Sequence, residues 1–165
     1  MKFARWTTGM IVVGALVLST GLEVKAAGSA KDQIAETEKK MMACTSADEL
    51  MKYYDEGDVA VFDIGPPLEF KGAKAVRKDF ADFFSSGTDF KGEFVELVVT
   101  AEGNMGVARS IQHFTWKDKD GKPVAATIRV TDVFHKVKGE WKATHTHISV
   151  PVDLKTNQAQ MNLKP

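Results

Sequence analysis

The chain has 165 residues and a mass of 18.1 kDa, a length that fits one domain. Its 22 Lys and Arg balance 22 Asp and Glu, with 44% of residues apolar and 27% charged. This mixture excludes a disordered or collagen-like chain, and a sequence pI near 6.9 speaks against a nucleic-acid surface.

The first residues read as an address. Lys2 and Arg5 give a positive start, Met10 to Leu18 is an unbroken apolar run, and Val24-Lys25-Ala26 offers residues suited to cleavage. Residues 1–26 are therefore expected to be a secretory signal peptide. An uncleaved anchor is the alternative, but Trp6 to Leu22 is short for a span and is interrupted by Gly9, Gly14 and Gly21. Export implies a periplasmic or secreted protein with no stable membrane insertion after cleavage. The single cysteine, Cys44, excludes an intrachain disulfide and a multi-cysteine zinc site. It reads as a small buried apolar residue on a helix.

Residues 27–152 are expected to form the folded domain. Ala30 to Cys44 is a polar helix whose few apolar positions are Ile34, Met41 and Met42. Ser46-Ala47-Asp48-Glu49 is a capping box that opens a short helix carrying Leu50, Met51, Tyr53 and Tyr54. Val59 to Ile64 reads as a strand, ended by Gly65-Pro66-Pro67. Gly72 to Ser85 is the clearest amphipathic helix, with Ala73, Val76, Phe80, Phe83 and Phe84 on one stripe. Four long strands follow, over 90–100, 107–117, 124–137 and 141–150. Their turns lie at Gly103-Asn104-Met105-Gly106, Asp118-Lys119-Asp120-Gly121-Lys122 and Lys138-Gly139. Residues 153–165 read as a polar tail. Helices followed by an antiparallel meander give an α+β fold. Long strands coil, so the sheet is expected to form a cone with helices on its concave face and a mouth that binds small molecules.

The last hairpin has a definable register, provided no bulge interrupts it. A two-residue turn at Lys138-Gly139 pairs Val137 with Glu140, Phe134 with Ala143, Asp132 with His145 and Val130 with His147. This places Asp132, Phe134, His145 and His147 together on the cavity face. An Asp beside a His can orient the imidazole and stabilise its cation, although such a pair can equally pin a core. His145-Thr146-His147 also has the spacing of two metal ligands, but a third would have to come from His113 or Asp132, and no metal or other cofactor is assigned. Arg109, if it points inward, would clamp a carboxylate or enolate.

The residues also resemble a known family. Tyr53-Tyr54-Asp55-Glu56-Gly57-Asp58-Val59-Ala60-Val61-Phe62-Asp63, then Gly65-Pro66, then Gly72-Ala73-Lys74-Ala75-Val76-Arg77, is similar to the helix-strand-helix opening of SnoaL-like and ketosteroid isomerase-like domains. Arg129-Val130-Thr131, Gly139-Glu140-Trp141 and His145 to Pro151 resemble the terminal hairpin of the same superfamily, nearest to the association-domain type of calcium/calmodulin-dependent kinase. The resemblance covers about residues 30 to 152. It implies the nuclear-transport-factor-like, or cystatin-like, cone and a homodimer formed through the sheet.

In ketosteroid isomerases an aspartate ending the first strand is the general base, and Asp63 matches it. A second, protonated aspartate on a late strand helps hold the dienolate oxygen, and Asp132 falls close to that position. The isomerases also place an oxyanion-binding tyrosine on the first helix. Here that stretch reads Glu38-Lys39-Lys40-Met41, without a tyrosine. Arg109 matches an arginine lining the association-domain pocket, whereas a second pocket arginine corresponds to Asp132.

Two classes of function follow as expectations. An enzyme would use Asp63, Asp132 and His145 for isomerase- or lyase-type proton transfer on a small, partly apolar molecule. Arg109, Tyr54, Phe62, His113, Trp116, Phe134 and His147 would bind that molecule. The alternative is a non-catalytic periplasmic ligand-binding module or an oligomerisation domain.

Overall fold

The structure, a computed structural model, describes residues 28–164. The expected signal peptide at 1–26 lies outside the described residues. Among the described residues no helix is long and apolar enough to cross a membrane.

Helix α1 spans Ala30–Met42, α2 spans Ala47–Leu50, and a 3-10 turn, Met51–Tyr53, follows it. Strands β1 (Ala60–Phe62) and β2 (Phe70–Lys71) precede α3 (Ala73–Ser85). The long strands are β3 (Gly87–Glu102), β4 (Met105–Asp118), β5 (Pro123–Val137) and β6 (Glu140–Ser149). They form one six-stranded sheet in the order β2-β1-β6-β5-β4-β3. The meander is antiparallel as expected, but β1 joins β6 in parallel, so the sheet is mixed. The tail contains a small hairpin of β7 (Val152–Asp153) and β8 (Gln158–Ala159). Beyond it the Met161 carbonyl accepts from Thr127 N at 2.6 Å, tying the tail to β5.

Local chemistry explains these elements. α1 starts at a capping box, with Ser29 accepting from Asp32 N while Asp32 accepts from Ser29 N, so two otherwise orphaned donors are satisfied. At α2 Ser46 accepts from Glu49 N, but the Glu49 carboxylate turns back to Thr45 N at 2.9 Å. The β5–β6 turn has positive φ at Lys138 and Gly139, the geometry that matches the twist of two-residue hairpins.

The core lies between the helices and one face of the sheet. Ile34, Val61, Val76 and Phe134 are fully buried there. Each buried side chain of this kind contributes about 1.5–3 kcal/mol relative to exposure. Gly106 and Gly92 let α1 approach closely. A Cβ at Gly106 would lie 2.2 Å from Ile34 Cδ1, and one at Gly92 2.2 Å from Met42 Sδ. Small residues in the strands thus set how near the polar helix α1 comes to the sheet.

Candidate functional site

The register of the last hairpin differs from the expected one. Val137 pairs with Glu140 and Phe134 with Ala143, as the turn predicts. Thr144 is then an extra residue, and the next pair is Val133 with His145. This bulge reverses the phase of the rest of β6. Asp132 therefore faces Thr146, not His145, and Thr131 rather than Val130 pairs with His147.

The consequence is a division of the candidate residues. His145 and His147 project to the outer face beside β1, where the Phe62 ring packs against both at centroid distances of 4.7 and 5.8 Å. His145 Nδ1 donates to the Ala60 carbonyl at 3.0 Å, which fixes that tautomer. Arg109 is exposed on the outer face and reaches Glu96 at 3.3 Å. His113 is also outside, with Nδ1 3.1 Å from Thr127 Oγ1. Phe134 does face inward, but it is fully buried in the core and is not among the residues lining this cavity. Phe62, His113, His145, His147, Arg109 and Phe134 are thus absent from the cavity wall. Asp63, Asp132, Tyr54 and Trp116 are on it.

The cavity, about 600 Å³, lies between α1, α3 and the inner sheet face. That volume suits a small organic ligand. One wall is an aromatic cluster. Phe83 and Phe90 have centroids 4.9 Å apart, Phe83 and Phe114 6.3 Å, and Phe90 stacks on Trp116 at 6.0 Å and 13°. Met161 from the tail also lines the cavity, so the tail takes part in closing it.

The floor is polar and buried. Thr146 donates a short hydrogen bond to Asp132 Oδ1, and Tyr54 Oη lies 2.8 Å from Thr146 Oγ1. A threonine hydroxyl has one proton, so Tyr54 must be the donor to Thr146. Glu38 joins this group from α1. It is only 2% exposed, and its Oε1 has no hydrogen-bond partner among the described residues. Burial, reinforced by the Asp132 charge and a hydrogen-bonding contact with its carboxyl, pushes Glu38 up to about 10. Burial pushes Asp132 up to about 6, opposed by the bonds it receives from Thr146 and Glu38. Near pH 7 the pair therefore holds one proton, on Glu38, and carries one negative charge. Tyr54 is raised well above its ordinary value by burial and the Asp132 charge, and stays a phenol.

A second acid pair lies nearer the rim. Asp63 directly follows β1, and its Oδ1 accepts from Ile64 N at 2.7 Å. Asp79, on α3, is pushed up to about 6 by burial and then by the Asp63 charge. The cavity therefore offers acid–base groups at two depths within apolar walls, an arrangement suited to proton transfer. No group of three or more His, Cys, Asp or Glu with metal-site geometry occurs among the described residues.

Sequence reasoning missed Glu38 and Asp79. Both sit at core-facing helical positions. Ile34, Glu38 and Met41 form an i, i+4, i+7 stripe, so a carboxyl interrupting that stripe was the available signal. Asp79 precedes Phe80 on the edge of the α3 stripe, where nothing separates it from a solvated acid.

Comparison with known proteins agrees with this geometry. None of the curated proteins matches the chain. Among solved structures, an NTF2-like protein from Pseudomonas putida KT2440 is 24% identical with a TM-score of 0.73, covering 82% of this chain and 96% of that one. A calcium/calmodulin-dependent protein kinase II association-domain-like protein from Xanthomonas campestris is 20% identical, with a TM-score of 0.66 and coverages of 79% and 93%. A ketosteroid isomerase-like protein from Erwinia carotovora atroseptica SCRI1043 is 17% identical, with a TM-score of 0.64 and coverages of 74% and 97%. At these identities the likeness establishes the fold alone. The profile of the SnoaL-like domain matches residues 34–153, most of the described chain, and the protein belongs to the SnoaL-like domain family.

Proposed function

We propose that this SnoaL-like protein binds a small, partly apolar molecule in its cavity and moves a proton on it, an isomerase- or lyase-type reaction with Asp63 as base. The observation that carries this reading is the buried Glu38–Asp132 carboxyl pair, set into a cavity whose walls are mostly aromatic and aliphatic side chains. Buried polar groups without full partners are costly, and a polar ligand group against the Glu38–Asp132 pair would offset part of that cost. The polar end of the ligand rests on the floor, and its reacting carbon lies toward the rim. There the Asp63 carboxylate takes a carbon-bound proton, the electron pair moves into the adjacent bond system, and the proton returns at another carbon or a leaving group departs. Asp79, raised by its own burial, is placed to supply a proton near neutral pH. The reading includes export, on the N-terminal sequence, and a homodimer formed through the outer sheet face, where Phe62 and Val95 are exposed.

The base assignment is tested with 5-nitrobenzisoxazole, an apolar probe. Removal of its C–H proton by a carboxylate breaks the N–O bond and releases a coloured cyanophenolate. The protein should open this ring, and Asp63→Asn should lower the rate by about 10²–10⁴-fold. A variant as fast as the native chain would remove Asp63 from this role.

A further inference from the structure

We infer that the ligand of this cavity carries a protonated amine, on an aromatic or alkyl body, and that its N–H groups dock against Glu38 and Asp132. The inference rests on the proposal that the cavity is the ligand site and names the class of ligand it takes. Three observations carry it.

The first is the direction of the hydrogen bonds. Tyr54 donates to Thr146, and Thr146 donates to Asp132. The Glu38 proton is likewise directed at Asp132. Every donor of the floor is therefore committed to one carboxylate. What remains toward the cavity is the lone pairs of the two carboxyls, Glu38 and Asp132, which both line it. A carbonyl or an oxyanion placed there would oppose lone pair to lone pair. An ammonium, with three donors and no acceptor, satisfies the floor. Gln112, the polar residue farther along the wall, donates to Ser110 Oγ at 2.9 Å and still offers both a donor and an acceptor, so it selects neither class.

The second is charge. The Glu38–Asp132 pair carries one negative charge when it holds one proton, and Asp63 and Asp79 line the same cavity. Among its lining residues the one basic side chain is Lys91, which is exposed. An anionic ligand would meet repulsion from both acid pairs, whereas a cation is attracted by each.

The third is the wall. Tyr54 packs on Phe80 at 5.2 Å, and the Phe83, Phe90 and Trp116 group faces the same space. Aromatic faces attract cations and also bury an apolar body.

Three probes that share one ring system separate the possibilities: 2-naphthylmethylammonium, 2-naphthylmethanol and 2-naphthoate. Calorimetry at neutral pH should give the ammonium an affinity roughly tenfold or more above the alcohol, with no binding of the carboxylate. In Asp132→Asn the preference of ammonium over alcohol should fall severalfold, since the floor loses its charge while Asp63 and Asp79 keep theirs nearer the rim. Glu38→Gln should keep the preference, because its amide can donate to Asp132 and the Asp132 charge stays in place. Equal binding of ammonium and alcohol, or tightest binding of naphthoate, overturns this inference and leaves the cavity as the ligand site. Binding of none of the three overturns the ligand-site proposal as well.

Discussion

The two faces of the sheet use the same strands for opposite chemistry. The inner face holds Asp132, Thr146, Phe114 and Trp116 around a cavity, with Glu38 and Tyr54 brought down onto it. The outer face holds Arg109, His113, His145 and His147. Inward, burial makes each polar atom consequential, because a lost partner is not replaced by water. Outward, the Arg109–Glu96 pair at 3.3 Å is solvated on both sides and contributes little. The most functional-looking residue types thus lie on the face where they matter least to the cavity. One extra residue in β6, Thr144, is enough to send the two hairpin histidines there.

This contrast can be sharpened first where the effect is largest. Glu38 binds its proton more tightly in the folded state than the ordinary value of 4.5 allows in the unfolded state. Between those two values the native state holds more protons, so stability is greatest at low pH and falls as pH rises. The slope reaches about 1.4 kcal/mol per pH unit. Asp132 adds a contribution of the same sign between its ordinary 3.8 and about 6. Urea unfolding at about pH 5, 7 and 9 should show Glu38→Gln gaining steadily on the native chain as pH rises. Parallel stability curves would mean that Glu38 is not the uncompensated group described above.

The smallest effects are expected outside. Arg109→Ala and His147→Ala should leave ring opening of 5-nitrobenzisoxazole within about twofold of the native rate and stability within about 0.5 kcal/mol. If the proposed outer-face dimer forms, Phe62→Lys should shift it toward monomer in light scattering, and an unchanged mass would remove Phe62 from that interface. A large loss of ring opening in either of the first two variants would break the division between the faces.

Much of the fold was legible from the chain because local signals were strong. The α3 stripe, the Lys138-Gly139 turn and the Asp118–Lys122 turn each have a mechanism that acts within a few residues. The parallel placement of β1 beside β6 has no such local signal, since it depends on a contact across most of the chain. For the site, Asp63 and Asp132 were legible through the family resemblance, and both line the cavity. The histidines were misplaced because strand alternation propagates any phase error, and the Thr144 bulge leaves no mark in composition or turn chemistry. Glu38 was passed over because a helix of 13 residues with so few apolar positions reads as solvated. Only the close approach at Gly92 and Gly106 brings that helix down onto the sheet, with its carboxyl beside Asp132.

The most direct test of the account is a pH titration of the carboxyl carbons of Glu38 and Asp132, followed by carbon-detected NMR and assigned through Glu38→Gln and Asp132→Asn. The account predicts that Glu38 stays protonated through neutral pH while Asp132 titrates near 6, so that the floor holds one proton and one negative charge. Two carboxyls that both ionise at the ordinary values of 4.5 and 3.8 would contradict it.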